Sequence, residues 1–225
     1  MKTRLRTLLI LLRKDVLVEL RSREILFTMG VFALLLVVLF SFAFYTDVER
    51  ARVYSPGILW ITVLFAGTLG LNRLFERETT NGALDILLLC AAGPRTVFVA
   101  KALAHLLFTV VMVTLTLPLL VVFFHLEVPH PGALFASLLA GMVGFCFVGT
   151  LFAAMLVGSR MREVLLPVVV YPLVVPVLIA GVKSASGLLA GDAGVEVQGW
   201  IQFMVGFDIL FVVLSTWLFD RMLVR

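Results

Sequence analysis

The stretch Ile25–Tyr45, ILFTMGVFALLLVVLFSFAFY, carries no charged residue and is flanked by Glu24 and Asp47. A helix rises about 1.5 Å per residue, so about 20 such residues cross a hydrocarbon core about 30 Å thick. Backbone groups in lipid must satisfy one another, so a lone apolar run of this length is a helix. A barrel strand would instead show about ten residues of alternating character, and this stretch does not alternate. It is not a cleaved leader: more than twenty residues precede it, and its apolar core is too long.

Working outward, the same pattern recurs five times. Spans are expected at about 25–45, 55–73, 99–123, 132–157, 164–182 and 199–219. Away from their first and last turns, the only charged or histidine side chains in them are His105 and Asp208. The whole chain has 225 residues, of which 62% are hydrophobic and 14% charged, where a soluble domain carries about 25% charged. Its mean hydropathy is +1.14. The reading is a single all-α integral membrane domain, residues 1–225, with six transmembrane helices.

Charge orients it. With the N-terminus inside, fifteen of the 18 Lys and Arg residues fall on the inner side, and only Arg50, Arg52 and Lys183 fall outside. Basic residues favour the cytoplasmic side of a membrane, so both termini are expected there. Tyr45, Tyr54 and Trp200 fall at the outer interface, where aromatic rings anchor helices. The basic pI of about 9.4 is thus a topology signature. No basic patch interleaved with base-stacking aromatics argues for nucleic acid.

Residues 4–23 read as a basic amphipathic helix beside the first span. Leu5, Leu9, Leu12, Val16 and Leu20 recur at three- and four-residue steps, with Arg6, Arg13, Lys14 and Arg21 elsewhere on the helix. Such a helix lies along the membrane surface, its cations drawn to anionic lipid headgroups; binding a specific partner is the alternative. The outer connections, Thr46 to Arg52, His125 to His130 and Lys183 to Glu196, are short.

The inner connection after span two is the informative one: RLFERETTNGALDILLLCAAGPR, Arg73 to Arg95. Charge gathers at Glu76, Arg77 and Glu78. Thr80 or Asn81 can cap a new helix, Asp85 suits the positive end of its dipole, and Gly93-Pro94 stops it. A short, partly apolar helix between two spans is suited to dock into a soluble partner and pass on its motion.

These residues resemble a known family. Glu78, Gly82, Ala83, Leu84, Asp85 and Lys101 resemble the coupling-helix signature of ABC-2-type exporter permeases. SPGILW (Ser55 to Trp60), RLFERETTNGALDILLL (Arg73 to Leu89) and AKALAH (Ala100 to His105) resemble the CcmB family, the haem exporter B proteins of bacterial cytochrome c maturation. Asp85 stands where Glu is more usual, which keeps the charge and shortens its reach. The resemblance implies an ABC-2-type permease in the bacterial inner membrane, with a coupling helix at Glu76, Arg77, Glu78, Gly82, Leu84 and Asp85. It implies partnership with a CcmA-type ATPase, CcmC-type and CcmD-type membrane proteins, a CcmE-type haem chaperone and a second copy of the chain. ATP would be bound by the ATPase and haem handled by the complex. No intrinsic cofactor and no catalytic residue is expected. Independently, a phosphate-binding Walker loop needs a Gly-Lys pair, and none of the 17 glycines here is followed by Lys. Two other readings are a permease for a lipid, glycan or drug, and a non-transporting scaffold for assembly factors.

Several residues carry two readings. Asp208, at the middle of span six, is costly in lipid and so faces protein, either in a substrate pathway or subunit interface, or as a hydrogen-bonded packing residue. Lys101 snorkels to the inner interface. His105, one turn on, is an interhelical hydrogen-bonding residue or a haem ligand. His125 and His130 contact haem or its chaperone outside, or merely decorate a solvated loop. Pro167, Pro172 and Pro176 give span five a fixed kink or a flexing one. Cys90 and Cys146 fall in different compartments, and neither they nor the histidines form a metal-ligand spacing.

Overall fold

A computed structural model describes residues 2–44, 48–76 and 93–222. It contains seven helices among those residues and no strand: α1 (Lys2–Ser22), α2 (Glu24–Ala43), α3 (Val48–Arg73), α4 (Pro94–Phe123), α5 (Pro131–Met155), α6 (Arg162–Leu189) and α7 (Val195–Met222). Helices α2 to α7 are each long and apolar enough to cross a membrane.

The helices outrun the expected spans, and local chemistry accounts for the extra turns. Helix α3 starts at Val48, because Glu49 in its first turn complements the dipole and nothing before Pro56 breaks it. Helix α4 starts at Pro94, whose fixed φ and missing N–H suit a first helical position, after Gly93 at φ 78°. Helix α6 runs through its three prolines to Leu189. There Ser184 and Ser137 of α5 share a hydroxyl hydrogen bond of 2.7 Å. Gly191 at φ 83° then ends α6, with the Asp192 N–H donating to the Gly187 carbonyl. Helix α5 stops at Met155, two residues before the expected end of its span.

Helix α4 touches α1, α2, α3, α5 and α7, and α3 touches α2, α4, α5 and α6, while α5, α6 and α7 pack on one another. Trp60 of α3 is fully buried and lies in a slot walled by Gly141 of α5 and Gly181 of α6. Small residues let membrane helices approach closely, and here they make room for an indole. Around it, Met29, Val63, Phe108, Met112, Leu138 and Met142 form the main core cluster. Helices α2 and α7 keep most of their apolar surface outward, as lipid-facing helices must.

Helix α1 departs from a simple two-faced amphipath. Leu5, Leu9 and Leu20 are exposed as expected, but Leu12 and Val16 pack on the core cluster. Two carboxylates, Asp15 and Glu19, share that inward side and are buried.

Candidate functional site

The polar chemistry of the chain gathers at the end of the bundle that carries α1. Glu19 and Leu26 sit on either side of the α1–α2 joint, where Arg23 takes a left-handed φ of 58°. Arg23 makes no side-chain cap for α2. Glu19 supplies one from the previous helix: its Oε1 accepts the Leu26 N–H at 2.8 Å. That satisfies one of the four orphan donors of a helix start and places negative charge at the positive end of the dipole.

One turn earlier, Asp15 meets Lys101 of α4. The ammonium lies 3.2 Å from Asp15 Oδ1, and both side chains are less than a tenth exposed. Lys101 also donates to the Leu74 carbonyl at 3.2 Å and lies 5.6 Å from the centre of the Phe75 ring. The expectation that Lys101 snorkels to the interface is therefore corrected. It is 5% exposed, because α1 brings a carboxylate to it and the ammonium need not reach water.

Leu74 and Phe75 directly follow α3. A second cation grips the same helix end: Arg162, at the start of α6, donates to the Leu71 carbonyl at 2.9 Å. The last carbonyls of a helix lack intrahelical partners and carry partial negative charge, so cations from α4 and α6 suit both needs. Nearby, Arg95 of α4 pairs with Asp220 of α7 at 2.7 Å. The exposed Glu76 carboxylate lies 4.0 Å from Arg73. Arg77, Glu78, Gly82, Leu84 and Asp85, with Cys90, fall outside the described residues.

The other expected site residues do not join this group. His105 is 1% exposed. Its Nδ1 lies 3.1 Å from the Thr109 hydroxyl, which in turn accepts a hydrogen bond from Cys146 Sγ on α5 at 3.8 Å. Phe145 meets the ring edge-on. The His105 Nε2 is enclosed and has no hydrogen-bond partner. Asp208 is also buried, within its own chain: its Oδ1 packs so close to Gly144 of α5 that an added methyl there would sit 2.6 Å away. A second copy is not needed to cover it. His125 and His130 are exposed on the connection between α4 and α5. No group of three or more potential metal ligands occurs among the described residues.

The model of the CcmB protein family matches residues 6–223. The chain belongs to the CcmB family. Among individual relatives, the heme exporter protein B of Bradyrhizobium diazoefficiens is 33% identical over 80% of this chain and 82% of its own length. That of Rhodobacter capsulatus is 36% identical over 70% of this chain and 74% of its own. That of Escherichia coli K12 is 29% identical over 75% and 78%. The match of the CcmB model takes in α1, the elbow helix before the first span, from residue 6 and all six long apolar helices, so the chain is a multi-pass membrane protein of this family.

Asp15, Glu19 and Arg162 escaped the sequence reading. Their signal was present: two carboxylates four residues apart on an otherwise basic helix, and a lone Lys near the start of an apolar run. What lacked was any local hint that these would meet.

Proposed function

We propose that this chain is the permease subunit of a haem-handling ABC complex of cytochrome c maturation, worked by an ATPase on a separate polypeptide. The observation that carries this reading is the one-third identity to heme exporter proteins B over four-fifths of the chain. The lack of any Gly-Lys pair supports the division of labour, since the chain has no phosphate-binding Walker loop of its own. On this reading residues 1–225 form one permease domain in the bacterial inner membrane with both termini in the cytoplasm. The end bearing α1, Arg73, Arg95, Lys101, Arg162 and Arg221 then faces the cytoplasm, in keeping with the preference of basic residues for that side. Glu76, Arg77, Glu78, Gly82, Leu84 and Asp85 make the docking segment for a CcmA-type ATPase. CcmC-type and CcmD-type proteins, a CcmE-type chaperone and a second copy complete the complex. ATP hydrolysis releases the haem-loaded chaperone.

The test is co-purification. The wild-type chain, expressed with its ATPase, retains it in detergent, and replacing both Glu78 and Asp85 by Lys lowers the retained ATPase or uncouples its turnover from cytochrome c maturation. Normal retention, turnover and maturation in that double variant would refute the docking segment.

A further inference from the structure

A carbonyl in the last turn of α3 and one just beyond its end are held by two cations that belong to different helices. Lys101 of α4 takes Leu74 and Arg162 of α6 takes Leu71. The Lys101 ammonium is at the same time paired with Asp15, so α1 is tied to the same point. Asp15 is joined to α2 only one turn away, through Glu19 and the Leu26 amide. Thus three helices converge on the chain exit of a fourth, and α2 is tied to one of them a turn away. That exit leads straight into the segment that the proposed function assigns to ATPase docking.

We propose that Lys101 and Arg162 are positioning residues: a cationic clamp on the α3 terminus that passes displacement of the docking segment to α1, α4 and α6 as one unit. The physical reason is stiffness. A charge-assisted hydrogen bond is about twice as strong as a neutral one, and around the buried Lys101 little water competes for it, while Arg162 is half-buried. A loop root anchored only by apolar contacts could slide along its neighbours; one anchored by an ammonium and a guanidinium on named carbonyls drags them. Asp15 makes the elbow helix part of the load path, since the same ammonium cannot move toward the docking segment without drawing the carboxylate after it. The clamp deepens the proposed function and rests on it.

The experiment uses the assembled complex of this chain with its ATPase and compares Lys101→Met, Arg162→Met and the double variant with wild type. Three quantities are read: ATPase retained on purification, rate of ATP hydrolysis, and yield of haem-bearing cytochrome c in cells. The double variant is expected to retain its ATPase and hydrolyse ATP, while cytochrome yield falls by about tenfold, within the range of ordinary site-to-site coupling. Lys101→Arg, which keeps the charge and the donors, restores most of the yield. Asp15→Asn, which keeps the shape of the α1 contact and removes its charge, gives an intermediate loss. Wild-type yield in the double variant overturns the clamp. So does a loss of yield that merely follows a loss of the chain from the membrane across the Lys101→Met, Arg162→Met and Asp15→Asn variants, for that is a folding role alone. Failure of the wild-type chain to retain any ATPase is a different result, and refutes the docking reading on which the clamp stands.

Discussion

A carboxylate buried beside hydrocarbon gains from a donor, and two of the three buried acids among the described residues have one. Glu19 takes a backbone amide and Asp15 the ammoniums of Lys14 and Lys101, while Asp208 Oδ1 packs against Gly144 with no hydrogen-bond partner. Replacing Glu19 by Ala strips the α2 start of its cap and is expected to cost about 0.5–2 kcal/mol, the usual worth of a capping side chain. Glu19→Gln keeps the accepting oxygen and costs less. Thermal unfolding followed by helical circular dichroism in detergent ranks the two, and equal melting of Ala and Gln variants would remove the cap from the account. For Asp208, the insertion cost of a central Asp is about 2.5–3.5 kcal/mol. Asp208→Leu therefore reaches the membrane at wild-type level or above, and Asp208→Asn preserves assembly. If cytochrome yield stays full in the Leu variant, the residue serves packing only.

At the scale of elements, α1 is a helix with three faces. Leu5, Leu9 and Leu20 lie exposed on one side, Arg6, Arg13 and Arg21 lie exposed beside them, and Asp15 and Glu19 turn to the bundle. The first two faces were legible, because apolar spacing and charge are properties of a single helix. The third was not, because its meaning depends on Lys101, 86 residues away. The Trp60 slot teaches the same lesson. Nothing near Gly141 or Gly181 in the sequence says that an indole lies against them. A methyl on Gly181 would run into the rigid Trp60 ring, so Gly181→Ala is expected to destabilise the bundle by about 1–3 kcal/mol through overpacking. The same assay reads it, and an unchanged melting point would show that α6 can yield there.

For the whole molecule, six spans and an elbow could be read before any coordinates, since each span announces itself in its own apolar run and the length of a helix in lipid is set by the lipid. The interior could not, since which helix neighbours which is decided by contacts far apart in the chain. Topology gives a test at this scale: a reporter fused after Asp192, in the turn between α6 and α7, reports the outer side, and one fused at residue 225 reports the cytoplasm. A cytoplasmic signal at Asp192 would sink the six-span arrangement. The elbow's two acids also differ in when they gain a partner outside α1. Glu19 bonds an amide only 7 residues on, so its partner leaves the ribosome within about a second at 5–20 residues per second. Asp15 has the Lys14 ammonium beside it at 3.0 Å, but its tie to α4 waits for a lysine 86 residues on, about 4–17 s at the same pace. During that interval the nascent elbow is hinged to its first span but not yet latched to the bundle. The chain therefore threads α2, α3 and the start of α4 past an open door, and the arrival of Lys101 shuts it.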